Sequence, residues 1–148
     1  MSSTRRASFV IPPGKESFGT DWNTGCIFCH ATRGQPRARS ALDMDTRATE
    51  FGIACEQCHG PGAEHVEANR DPVRRYRQHL GDEADPTIVN PRRLSQVRSG
   101  EVCGRCHAHA VAAPEARRDF AWTGYAFEPG DDLSKYRKVL RLAELGGL

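Results

Sequence analysis

Cysteine occurs six times in this chain of 148 residues, and every copy falls into one of three segments with the same spelling. They are GCIFCHATRG around Cys26 and Cys29, CEQCHGPG around Cys55 and Cys58, and CGRCHAHA around Cys103 and Cys106. In each segment two residues separate the cysteines, and a histidine follows the second: His30, His59 and His107. Three chemistries use paired cysteines: disulfides, structural zinc and covalent haem attachment. Disulfides stabilise most when they close long loops, whereas each of these pairs would close a very small ring. A zinc ribbon takes two C-x-x-C pairs and would strand the third. Neither chemistry asks for a histidine directly after the second cysteine. Haem attachment does: the two thiols add to the vinyl groups of one porphyrin edge, and the next residue carries its imidazole to the iron. The expected cofactors are therefore three covalently attached haem c groups. Their attachment residues are Cys26, Cys29, Cys55, Cys58, Cys103 and Cys106, and their proximal iron ligands are His30, His59 and His107.

Composition agrees with a cofactor-filled interior. Only 38% of the chain is hydrophobic and 7% aromatic, while fourteen glycines and nine prolines interrupt it often. Side chains alone would build a thin core. Three macrocycles would supply the missing apolar mass. The formal net charge of +2 comes largely from scattered arginine, so no nucleic-acid-binding stripe is read. RRYRQ at 74–78 is the one dense basic cluster and reads as a solvated helix face. No run approaches the roughly 18 apolar residues of a membrane span.

Three further histidines remain, His65, His79 and His109, one for each haem. That count suggests bis-histidine iron with these three as distal ligands. Reach limits the assignment. The alpha carbons of two axial histidines lie roughly 13 Å apart across a haem, and two extended residues span only about 7 Å. His109 therefore cannot close the haem of His107 and would ligate a neighbour. His65 follows His59 across Gly60-Pro61-Gly62, which reads as a turn, and is also expected to reach a neighbouring iron, the first haem being favoured. Each of the three has a plainer reading as a surface histidine, strongest for His79 in the polar segment RRYRQHL. Met44 in ALDMDT is the substitute axial ligand.

The expected fold is mainly α with much irregular structure, a small multihaem cytochrome c fold wrapped around three closely packed haems. Residues 1–20 read as an extended N-terminal arm and 21–148 as a single trihaem domain. Arg5 and Arg6 resemble a twin-arginine signal, but Pro12 and Pro13 follow too soon for an apolar h-region, and no export signal is read. Helices are expected from about Pro61 to Asn69, from Pro72 to just before Gly81, and between Leu94 and His107. A final helix is expected over Asp132–Leu145, with Leu133, Tyr136, Val139, Leu140 and Leu142 on its apolar side. GDEADPTIVNPRR reads as a polar loop. Trp22, Trp122, Tyr125 and Phe127 are expected to line haem faces or edges, and Arg105 to pair with a propionate.

ACEQCHGPGAEHV, IVNPRRL, EVCGRCHAH and FEPGDDL, in this order, resemble bacterial multihaem cytochromes of the tetrahaem nitrification-carrier type and the wider hydroxylamine oxidoreductase-like group, including members fused to tetratricopeptide repeats. The resemblance implies a mainly helical, irregular fold around packed haems, His65 in the distal-ligand position, and electron transfer in the bacterial periplasm or outside the cell. The chain departs from that pattern in having three attachment motifs rather than four or more, and no tetratricopeptide repeat.

The sequence thus points to an electron carrier that is not an enzyme, relaying electrons between redox partner proteins, other cytochromes foremost. Two alternatives stay open: a redox enzyme with one open haem site for a small nitrogen-oxide substrate, and a haem-bearing protomer of a larger assembly or filament. A periplasmic or extracellular location is expected, because c-type haem is attached outside the cytoplasm.

Overall fold

The computed structural model describes residues 3–5, 22–40, 43–114, 116–124 and 126–140. Beyond Ser3–Arg5, the expected N-terminal arm lies outside the described residues.

Short helices carry all three cysteine segments. A π-helical turn, Trp22–Cys26, leads into α1, Ile27–His30, which ends on the first motif histidine. The second motif sits on α2, Glu56–His59, and the third closes α5, Gln96–His107. Between them stand α3, Ala63–Ala68, and α4, Pro72–Leu80. Local chemistry sets these boundaries. Asp71 caps α4 by accepting from the Val73 amide at 2.9 Å, with Pro72 in the first turn where its missing N–H costs nothing. Ser95 caps α5 in the same way through the Arg98 amide at 3.3 Å. The helices expected after Pro61, at Pro72 and before His107 are all present.

The strands are a difference from the expected, mainly helical chain. Three two-stranded antiparallel ladders join segments distant in sequence: β1 (Ser3–Arg5) with β3 (Asp43–Thr46), β2 (Ala31–Thr32) with β4 (Glu50–Phe51), and β5 (Ala110–Ala112) with β6 (Arg137–Val139). In the last, Ala110 faces Val139 and Ala112 faces Arg137. The fold is therefore mixed, helical with short strands and long irregular connections.

β6 also corrects the expected helix over Asp132–Leu145. Its described part is a 3-10 turn, Leu133–Lys135, followed by the strand; residues 141–148 lie outside the description. Asp132 accepts from both the amide and the hydroxyl of Ser134, at 3.0 and 2.6 Å, which closes a tight turn. Pairing with β5 then holds the following residues extended. Of the apolar set assigned to that helix, Leu133 is buried, and Tyr136 packs edge-on against buried Phe127 with ring centroids 5.9 Å apart.

The side-chain core is small. Ile27, Phe28 and Ala31 form its centre, with Trp22, Ala48 and Phe120 against it. Phe28 and Phe120 have ring centroids 4.3 Å apart. Backbones approach closely here: a Cβ on Gly124, whose φ is +72°, would collide with the carbonyl oxygen of Gly34, so this crossing requires glycine. Among the described residues no helix is long and apolar enough to cross a membrane.

A candidate haem-binding site

Within one helical turn, residues three apart share a face and the residue between them points elsewhere. In all three motifs the second intervening residue, Phe28, Gln57 or Arg105, is buried, at 6%, 3% and 7% exposure. The cysteines lie outward. Cys55, Cys58 and Cys103 are exposed, Cys26, Cys29 and Cys106 half-buried, and all six are free thiols. Each motif thus anchors itself through its middle, and the second presents both its sulfurs to the space beyond.

Those anchors join the motifs to one another. The Gln57 amide donates to the Phe28 carbonyl at 3.3 Å, and its oxygen accepts from the Arg33 amide at 3.4 Å, tying the second motif to the first. The first and third motifs come close to one another, near enough for the Cys29 thiol to act on that of Cys106. Burial, and next the Cys29 thiol, push Cys106 above the usual thiol range. Arg105 lies against the ring of Phe127, 5.9 Å from its centroid, and Arg137 donates to the carbonyl oxygens of Arg105 and Ala110. Desolvation lowers the affinity of the Arg105 guanidinium for its proton, opposed by Cys106, Glu128 and Cys29. Its Nε is buried without a hydrogen-bond partner, although the residue borders a small polar cavity with Arg33, Glu56 and Glu128.

A much larger cavity, about 990 Å³, opens beside the second motif. Cys55, His59, His65, Asp85 and Val89 contribute to its wall. The volume lies at the upper end of the ordinary range for ligand sites, roughly 300–1,000 Å³. Two histidines here are held by one ring nitrogen each. His59 Nδ1 meets the Val89 carbonyl oxygen at 2.8 Å, and His65 Nδ1 meets Asp85 Oδ2 at 3.1 Å. A polar partner on Nδ1 places the proton there and leaves the Nε2 lone pair free for a metal. Free thiols on one face of a turn, a histidine with an available Nε2 and a macrocycle-sized cavity fit covalent haem. Among the described residues no group of three or more His, Cys, Asp and Glu side chains is placed to hold a bare metal ion.

The remaining expected residues are placed as follows. His30 ends α1, exposed, and its carbonyl accepts from the Gly52 amide at 2.9 Å. His107 ends α5, exposed. His109 is exposed between α5 and β5, its carbonyl accepting from the Leu140 amide at 2.8 Å. His79 is exposed in the last turn of α4, whereas its neighbours Gln78 and Gly81 line the large cavity. His65 lies on the cavity of the second motif rather than among the residues around the first. Met44 is buried in β3. Trp22 packs on the core, Trp122 lies under the Arg37 guanidinium at 4.8 Å, and Tyr125 is outside the described residues.

Sequence reasoning missed Gln57, Asp85, Asn69 and the Val89 carbonyl. A signal existed for one of them: Asp85-Pro86-Thr87 is a turn-forming tripeptide inside the segment read only as a polar loop.

The model of the family described as cytochrome c554 and c-prime matches residues 13–60, a stretch that holds the first two motifs. Two C-type polyheme cytochromes of Geobacter sulfurreducens are similar. OmcB is 27% identical over 119 residues, 70% of this chain and 16% of its own length. OmcC is 27% identical over 138 residues, 78% of this chain and 18% of its own. The chain therefore spans under a fifth of these curated relatives. A solved structure, the outer cell wall cytochrome OcwA, overlaps 85% of this chain and 23% of its own, at 27% identity and a TM-score of 0.48. The three C-x-x-C-H segments, together with these sequence relatives, make the chain similar to multihaem c-type cytochromes, and haem c the cofactor that this similarity implies.

Proposed function

We propose that this chain is a trihaem electron carrier with bis-histidine irons, relaying electrons between redox partner proteins, other cytochromes foremost, in the periplasm or outside the cell. Cys26 and Cys29, Cys55 and Cys58, and Cys103 and Cys106 would each hold one haem, with His30, His59 and His107 as proximal and His65, His79 and His109 as distal ligands. When bound, each haem iron supplies a one-electron ferric/ferrous couple. The residues of the chain would do the rest: the cysteines would fix position, the histidines would hold the iron, and the motif centres would set the spacing.

The observation that carries this reading is the junction of the motifs. The Cys29 thiol is near enough to that of Cys106 to raise its affinity for its proton, so groups bonded to those sulfurs would start near one another. Gln57 ties the second motif to the same hub through the Phe28 carbonyl at 3.3 Å. A relay requires centres held close by a rigid frame, and no acid, base or nucleophile is needed for outer-sphere transfer.

His79 favours a second reading. It is exposed and stands outside the cavity that its neighbours line, which would leave one iron with an open position for a small nitrogen-oxide substrate. Two measurements decide. Intact mass under denaturing conditions, with a pyridine haemochrome spectrum, is expected to show a gain of three haem masses; fewer would reduce the number of sites. Carbon monoxide added to the reduced protein is expected to leave the spectrum unchanged, whereas a shift in one haem would mark an open iron and support the enzyme.

A further inference from the structure

Among the described residues the six histidines fall into two groups. His30, His79, His107 and His109 are exposed and have no ring hydrogen bond to another described residue, while His59 and His65 are pinned through Nδ1. The two pinned rings differ in what holds them. His59 leans on a neutral carbonyl, that of Val89; His65 leans on a carboxylate, that of Asp85.

We propose that Asp85 is a positioning residue for His65, and that its fixed negative charge holds down the reduction potential of the iron that His65 ligates. The proposal rests on the reading of His65 as an axial ligand.

Asp85 is itself immobilised. Oδ1 accepts from the Thr87 amide at 2.9 Å and the Thr87 hydroxyl at 2.5 Å, and lies 3.3 Å from an Arg74 guanidinium nitrogen. Oδ2 faces His65 and accepts from the Asn69 amide at 3.2 Å. These bonds from Thr87, Asn69 and Arg74 hold the carboxylate in place against the His65 ring. The side chain is only 13% exposed, so its charge is weakly screened.

Asn69 also settles the tautomer. Its amide lies 3.2 Å from His65 Nδ1, but its two protons have better acceptors in the His65 carbonyl, at 2.9 Å, and Asp85 Oδ2. The Nδ1 proton is then His65's own, donated to Asp85, and Nε2 carries the lone pair. A carboxylate partner draws that proton toward itself and makes the imidazole a stronger donor, which favours ferric over ferrous iron; a carbonyl partner does so less. Arg74 offsets part of the charge but sits on the far oxygen.

The experiment is a spectroelectrochemical titration of the holoprotein with ferric EPR, comparing the native chain with Asp85→Asn and His65→Ala. His65→Ala is expected to turn one low-spin haem high-spin. Asp85→Asn is expected to keep all haems low-spin and to move the midpoint of that one haem upward. If His65→Ala converts a haem but Asp85→Asn moves no midpoint, or moves all of them equally, the role of Asp85 is overturned while His65 stands as a ligand. If His65→Ala leaves every haem low-spin, the ligand reading falls and the proposal with it. Thr87→Val provides a second test should Asp85→Asn not mature. It removes the hydroxyl that competes for the carboxylate charge and is expected to move the same midpoint downward; an upward shift or none overturns the proposal.

Discussion

The first motif sits in a packed hub, whereas the second stands at the rim of a cavity. In the hub Ile27, Phe28 and Ala31 are buried, with Trp22, Ala48 and Phe120 packed against them. Around the cavity, α3 and α4 bury no residue, and Val66, Tyr76 and Leu80 remain 59%, 62% and 82% exposed. What order that region has is polar: Asp85 with its four partners, Glu56 accepting from the Gly62 amide at 2.8 Å, and His59 on Val89. Hydrogen bonds of this kind contribute only about 1 kcal/mol each, while burying a large apolar side chain contributes roughly 1.5–3 kcal/mol. Apolar side chains therefore hold the hub together, whereas the cavity region has little such burial of its own.

The comparison can be broken most forcefully by emptying the cavity. Cys55→Ala with Cys58→Ala is expected to remove one haem mass and to strip hydrogen-exchange protection from residues 60–93, while 22–47 keep theirs. Equal loss in both regions would show that the hub also needs the second haem.

The reverse attack goes through Phe28. Phe28→Ala removes a ring at 6% exposure that stacks on Phe120, and is expected to cost about 3 kcal/mol of stability. Denaturant unfolding followed at the tryptophans should report it, since both Trp22 and Trp122 belong to the hub side. A loss under about 1 kcal/mol would mean that haem contacts carry the hub too.

The smallest effect concerns the ion pairs that tie α5 to the turn before β6. Arg98 reaches Glu101 at 2.7 Å and Asp132 at 3.1 Å. Hydrogen bonds from Arg98, and then from Ser134, hold the Asp132 carboxyl below its ordinary value of 3.8. A depressed carboxyl stabilises the fold above the unfolded value and loses that contribution as pH falls through the folded one. The melting-temperature difference between the native chain and Asp132→Ala is thus expected to stay constant from pH 8 to about 4 and to shrink below it. A difference that persists to pH 2 would assign the effect to the turn rather than to charge.

Much of the site was legible because its chemistry is local. Two sulfurs and an imidazole serving one macrocycle must sit within a single turn, so Cys55, Cys58 and His59 are readable from spacing alone. Helix α4 was legible for a similar reason, since Asp71 and Pro72 start it within two residues. β6 was not, because its partner β5 lies more than twenty residues earlier and overrides an apolar pattern suited to a helix. Asp85 was hidden for the same reason: nothing within a polar loop announces that a histidine twenty residues upstream will share its carboxylate.

The sequence by itself pointed to the cofactor class and to the attachment points proposed above, because covalent chemistry depends on residue type and short spacing. Only the tertiary structure decided that Gln57 of the second motif bonds the Phe28 carbonyl of the first, that Cys29 comes near Cys106, and that His59 and His65 share a cavity while leaning on unlike partners. Those relations depend on contacts between segments far apart in the chain, where the energy of packing and pairing outweighs local preference.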